Sequence, residues 1–276
     1  MLLVFSVVAG AYAYSSILSF GDSISDNGIY GEYSDAAAGY TSSSDIYGFQ
    51  RYSNGPVWVE DLAQHYGLSL LDMAYGGATT TATFHNLGWQ IAHYTGPINS
   101  TILVTALAGA NDMSAYFGGN LNETAAYAAA NVLGDIQTLA NLGFTNFFLP
   151  NLPNIGDTVR FSNPPYLPLK AAVSKWCWDF NGYLATDLTA LEAEFPSDNF
   201  MTFDTYGLMT DMYDHPGKYG FSSVNDIFWT DGYHPSAQTH LLMANYAEQT
   251  ISEPATMLLL GLGLMGLAGV RRKINK

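Results

Sequence analysis

The chain has 276 residues, 48% of them hydrophobic, and a formal charge of −15. That length and apolar content suit one large core, while the charge argues against nucleic acid or a strongly anionic membrane surface as the main partner, since both need basic patches. Arg271, Arg272, Lys273 and Lys276 hold four of the nine basic residues at the tail, so the body is more acidic still, and the lone Cys177 leaves no intramolecular disulfide.

Residues 1–13 form an apolar run ending in Ala11-Tyr-Ala13, the small-x-small pattern of a cleavable export signal, though no basic residue precedes it. A first buried strand is the other reading. Ser16-Ile-Leu-Ser-Phe20 then reads as a strand that stops in the turn-forming residues Gly21-Asp-Ser-Ile-Ser-Asp-Asn-Gly28. In open parallel sheets ligands sit outside the carboxyl ends of strands, so Ser23 is expected where a substrate binds. Taken alone, the tripeptide Gly21-Asp-Ser23 also fits a turn whose polar residue caps a helix.

Ile29 to Asn54 has no apolar period and is rich in Tyr, Ser, Gly and Asp, so it is predicted to be a loop. Its tyrosines, Tyr52 among them, either line a cleft or pack the loop onto the body. A helix is predicted through Leu62 and Ala63 towards Tyr66, with Gly67 as its C-terminal cap. Ser69 to Ala74 reads as a second strand, followed by the turn Tyr75-Gly-Gly-Ala-Thr-Thr80, where glycine lets backbone N–H groups approach a ligand closely.

Thr101 to Ala108 is the clearest strand, a near-continuous apolar run broken only by threonine, as a central parallel strand should be. It ends in Gly109-Ala-Asn-Asp112, where a lone Asn111 ordinarily reads as a turn former. A helix over 124–141, a strand over 144–149, a long helix marked by Val173, Cys177, Phe180, Leu184, Leu188 and Leu191, and a strand over 199–203 complete an alternating pattern. Such alternation implies right-handed crossovers and a parallel sheet covered on both faces. Cys177 is expected to pack as a small apolar residue on its helix.

Six histidines compete for the role of a base. His234 differs from the others because Asp231 lies three residues before it in Phe228-Trp-Thr-Asp-Gly-Tyr-His-Pro-Ser236, a spacing that lets one turn carry a base and the carboxylate that orients it. The alternative is a turn histidine with Pro235 opening a C-terminal helix. No metal-ligand spacing is evident, and no cofactor is called for.

These blocks, in this order, resemble the GDSL esterase/lipase family, also called SGNH hydrolases, over about 210 residues of the body. The resemblance implies a three-layer α/β/α sandwich, a flavodoxin-like fold with a five-stranded parallel sheet in the order 2-1-3-4-5. It also implies a nucleophile at Ser23, an oxyanion hole from Ser23, Gly77 and Asn111, and a base at His234 oriented by Asp231. Asp72 stands where the family more often has asparagine.

Glu253-Pro-Ala-Thr-Met257, the Gly/Leu-rich run to Val270 and the basic cluster after it resemble a PEP-CTERM sorting signal, with Ser252 where proline commonly stands. That resemblance implies an exosortase as partner, export to the surface of a Gram-negative bacterium and transient membrane association through 254–270, a run shorter than a comfortable span. A permanent tail anchor is the other reading. The division expected is therefore 1–13 signal, 14–251 hydrolase and 252–276 sorting segment. The expected activity is secreted hydrolysis of carboxylic esters, with lipase or phospholipase, deacetylase of surface polysaccharide and non-catalytic surface binding protein as alternatives.

Overall fold

A computed structural model describes residues 14–28 and 51–251, apart from 82 and 84. The expectations for residues 1–13, for most of the Tyr-rich loop and for the 252–276 tail lie outside these residues. Five strands, β1 (Ser16–Gly21), β2 (Ser69–Asp72), β3 (Ile102–Leu107), β4 (Asn146–Pro150) and β5 (Asn199–Phe203), pair in parallel in the order β2-β1-β3-β4-β5. This is the order the family resemblance implies.

Strand alternation sorts the core into two layers. Leu18, Phe20, Ile102, Val104, Ala106, Phe147 and Leu149 face α2 (Leu87–Ala92), α3 (Ala110–Phe117), α4 (Ala125–Leu142) and α5 (Lys170–Glu194). Ile17, Leu103, Leu107, Phe148, Met201 and Phe203 face α1 (Trp58–Tyr66), α6 (Thr205–Asp214) and α7 (Ala237–Thr250). Each helix contributes one apolar stripe: Val132, Leu133, Ile136, Leu139 and Ala140 on α4, and the predicted set from Val173 to Leu191 on α5.

Cys177 is fully buried within that stripe, and burial pushes its thiol up to about 12, so it stays protonated and apolar. Caps fix the helix ends. Thr124 accepts from the Tyr127 N–H at the start of α4, and Gly67 ends α1 in the left-handed conformation (φ 64°).

Two local expectations are corrected. Asn111 does not sit in a simple turn but in the first turn of α3, which starts directly after β3. Pro235 does not open the C-terminal helix: Ser236 caps it, accepting from the Thr239 N–H, and the helix begins at Ala237. Pro235 instead pairs with Phe228 in an antiparallel bridge that closes the loop carrying Asp231 and His234. Among the described residues no helix is long and apolar enough to cross a membrane.

Candidate active site

The sheet order places a switch point between β1 and β3, because the chain leaves β1 for β2 on one side and returns to β3 on the other. Ser23 and Asn111 follow these two strands. Gly21 ends β1 with φ 148°, and a Cβ there would lie 2.4 Å from the Leu107 carbonyl oxygen, so only glycine lets β1 approach β3 this closely. Gln90 of α2 secures the strand end with both halves of its amide: Oε1 accepts from the Gly21 N–H at 2.9 Å and Nε2 donates to the Gly21 carbonyl at 2.8 Å.

Ser23 Oγ lies 2.9 Å from His234 Nε2, and His234 Nδ1 lies 2.5 Å from Asp231 Oδ2. The carboxylate takes the Nδ1–H, so the lone pair of Nε2 faces the serine hydroxyl. Asp231 is itself fixed, because its Oδ1 accepts from the Tyr233 and His234 N–H groups at 2.9 and 3.0 Å. Burial pushes the Asp231 carboxyl up, but the bond and charge of His234 with these two N–H donors outweigh it and leave it lowered. The loop closes through Trp229 N–H to the His234 carbonyl (2.8 Å) and Ser236 N–H to the Ile227 carbonyl (2.9 Å). Tyr52 and Tyr233 both contact the imidazole, Tyr52 tilted and Tyr233 edge-on, with ring centroids 4.7 and 5.1 Å away.

The expected oxyanion donors come from three segments. Gly77 has φ 83°, and among the described residues neither its N–H nor that of Ser23 is paired with an acceptor. Asn111 Nδ2 donates to the Ala78 carbonyl at 2.8 Å, which ties α3 to the 75–80 turn and leaves its second N–H for a ligand.

Buried carboxylates brace this side. Asp26 accepts from Gly28 and Gly76 N–H, both at 2.8 Å. Asp72 accepts from Asn27 and Ala74 N–H at 2.9 and 3.0 Å, so both its oxygens are used. Asp112 receives the Thr80 N–H at 3.0 Å and the Thr80 hydroxyl at 2.7 Å. The motif signalled Asp72 and Asp112 only as members of their blocks, and Asp26, Gln90 and Tyr52 carried no sequence signal for these particular partners.

Asp22, adjacent to Ser23, is fully buried. Desolvation raises its carboxyl to about 7 against the pull of the Ile24 N–H, and the charges of Asp112 and Asp26 push the same way. Burial also holds Asp72 well above the ordinary carboxylate range.

The other histidines are engaged elsewhere. His65 meets Glu248 (2.8 Å), His215 meets Asp211 (2.9 Å), and His85 and His93 stack on Tyr75 and Trp89. His240 accepts from the Trp58 N–H, and burial lowers it to about 3, so it stays neutral. Among the described residues no three His, Cys, Asp or Glu side chains are placed to hold a metal ion. A cavity of 510 Å³ lies beside the 228–235 loop, lined by Asn54, Phe228, Trp229 and Gly232 among others, but neither Ser23 nor His234 lines it.

A Ser–His–Asp chain beside backbone and amide donors at a sheet switch point is the arrangement of acyl transfer. Comparison with known proteins agrees. Residues 17–247 match the model of the GDSL-like lipase/acylhydrolase family, and residues 250–273 match the PEP-CTERM protein-sorting motif. The chain is 27% identical over 236 residues to the phosphatidylcholine-sterol acyltransferase of Aeromonas hydrophila, covering 80% of this chain and 67% of that protein. It is 25% identical over 224 residues to the thermolabile hemolysin of Vibrio parahaemolyticus, covering 77% of this chain and half of that protein.

Among solved structures, the fold is shared with an acetyl-xylooligosaccharide esterase from Geobacillus (16% identity, 84% of this chain and 91% of that chain, TM-score 0.51). It is shared also with an extracellular lipase from Streptomyces rimosus (17% identity, 84% and 99%, TM-score 0.50). The chain belongs to the GDSL-like lipase/acylhydrolase family of carboxylic ester hydrolases and carries a PEP-CTERM sorting motif at its C-terminal end.

Proposed function

We propose that the chain is a secreted serine esterase that works through an acyl-enzyme on Ser23. The observation that carries this reading is the pair of contacts at one spot, 2.9 Å from Ser23 Oγ to His234 Nε2 and 2.5 Å from His234 Nδ1 to Asp231. His234 takes the hydroxyl proton as Ser23 Oγ bonds to the ester carbonyl carbon. The negative oxygen then formed is held by the Ser23 and Gly77 N–H groups and the Asn111 amide. When the carbon–alkoxy bond breaks, the same proton passes from Nε2 to the leaving alcohol. Water, deprotonated by His234, then releases the acid and restores the serine. Asp231 keeps the imidazole in the productive tautomer and stabilises its charged form.

Within this reading, residues 14–251 form the catalytic unit and 252–276 the sorting segment, processed by an exosortase during export. The PEP-CTERM match supports that export route. Hydrolysis of short p-nitrophenyl esters tests the reading: turnover by the wild-type chain and its loss in Ser23→Ala are expected. Equal activity of the variant would remove Ser23 from the mechanism. A series of acyl chain lengths set against acetylated polysaccharide separates lipase from deacetylase. A folded protein that binds polysaccharide, turns over no ester and takes no fluorophosphonate label would be a binding protein on a hydrolase fold.

A further inference from the structure

Five lysines and arginines lie in the described residues, and four of them meet a carboxylate. Arg51 pairs with Glu60, Lys170 with Asp157, Lys175 with Asp179 and Lys218 with Asp211. Arg160 is the fifth, and among the described residues no carboxylate and no hydrogen-bond acceptor meets its guanidinium. In a chain with 24 acidic residues an arginine without an acid is unusual for its surroundings.

Its position is fixed nonetheless. The Arg160 N–H donates to the Gly232 carbonyl at 2.9 Å, inside the loop between Asp231 and His234. The guanidinium carbon lies 4.4 Å from the centre of the Tyr233 ring and 5.9 Å from that of Tyr166. Tyr233 in turn makes an edge contact with the His234 imidazole, at 5.1 Å between ring centres. Arg160 is exposed, and both rings lie within cation–π range of its guanidinium.

We infer that Arg160 is a specificity-determining residue that binds an anionic oxygen group, a carboxylate or a phosphate, on the alcohol part of the ester. The inference rests on the esterase reading and narrows its substrate class. The side is set by chemistry. His234 Nε2 must protonate the leaving alkoxide, so the alcohol part lies against the 228–235 loop, and Arg160 is anchored to that loop one aromatic ring away. A guanidinium takes a carboxylate or phosphate in a forked pair that a neutral sugar or glyceride cannot offer. The acidic body repels anions at long range, but at physiological ionic strength that field fades within roughly 8 Å, which leaves the local cation to decide contact binding.

The test is kcat/KM on two matched pairs of esters, with the full-length chain. One pair is acetylated galacturonic acid against acetylated galactose, and the other is a short-chain phosphatidic acid against the corresponding diacylglycerol. The pair that shows the charge preference identifies the source of the anion. Wild type should favour the charged member of at least one pair. Arg160→Gln should lower that charged-to-neutral ratio about tenfold, the scale of one charge-assisted pair, through KM rather than kcat. Arg160→Lys should recover part of it, keeping charge without the fork. A wild type indifferent to charge, a ratio unmoved in Arg160→Gln, or equal losses on both members through kcat overturns the inference. Absence of turnover on all four esters would fail the esterase reading separately. Equilibrium binding of the acetylated galacturonic acid and the phosphatidic acid would then decide the site, weaker binding of either by Arg160→Gln supporting it and equal binding of both overturning it.

Discussion

Asp231 reaches His234 across three residues of one loop, which a bridge between Phe228 and Pro235 closes on itself. The oxyanion donors proposed for Ser23 are assembled by contacts between residues far apart in the chain: Asp26 to Gly76 spans 50 positions, Asn111 to Ala78 spans 33 and Asp112 to Thr80 spans 32. The base side is a local turn that carries its own geometry. The oxyanion side exists only once β1, β2 and β3 have paired, and buried carboxylates hold it there. Catalytic loss on the base side should therefore come from the reacting groups alone, whereas the other side should fail through residues that never touch substrate.

Removing the base side outright has the largest expected effect. Ser23→Ala or His234→Ala should lower kcat by about 10⁴–10⁶ with little change in the melting temperature, measured by ester hydrolysis and thermal denaturation. On the other side, Asn111→Ala should cost about 10²–10³ in kcat, the value typical of one lost oxyanion donor. A loss no larger than that of an ordinary surface change would take Asn111 out of the oxyanion role and leave it as a brace for Ala78.

Asp26→Ala probes the brace itself. It removes the acceptor of both Gly28 and Gly76 N–H, one residue before Gly77, and is expected to reduce kcat about 10–100-fold, the range produced by a small misplacement, and to lower the melting temperature. Unchanged kcat with lowered stability would show that the 75–80 turn holds its shape without Asp26, and the contrast between the two sides would be lost.

The smallest effect is one of pH. Asp22 titrates near 7 in the folded chain against 3.8 as its ordinary value, because burial disfavours the charged form. The folded state thus holds a proton that the unfolded state releases between these values, so this group makes stability fall as pH rises from about 4 to about 7. Asp22→Asn should flatten that slope, seen as a smaller drop in melting temperature between pH 5 and pH 8, by a few degrees. An identical slope in the variant would mean that Asp22 is ionised in the folded chain.

The same contrast explains what was legible in the sequence. The Asp231–His234 pair could be read because its partners are three residues apart, and the strands could be read because Ile102 to Leu107 is apolar apart from Thr105 and β1 and β4 are built around Ile17, Leu18 and Phe20 and around Phe147 to Leu149. The end of β1 pointed to Ser23, whereas its role as nucleophile and the oxyanion roles of Gly77 and Asn111 came only with the family blocks. Helix α3 was hidden because Asp112 occupies its buried face beside Ala110 and Met113, which breaks the apolar period. Helix α6 carries a local signature as well: Asp204 caps it, accepting from the Gly207 N–H, and Leu208, Met209 and Met212 form its stripe. The pairing of Gln90 with Gly21, the aspartate braces and the tilted ring contact of Tyr52 with His234 are tertiary contacts between ordinary residue types, and no local pattern announces them.

Covalent labelling of the full chain with a fluorophosphonate, with the attachment site mapped by mass spectrometry, tests the central claim most directly. The arrangement at Ser23 predicts a single modified residue, Ser23, and labelling slowed by orders of magnitude in His234→Ala. Attachment at another serine, or labelling of Ser23 at an unchanged rate without His234, would contradict the account.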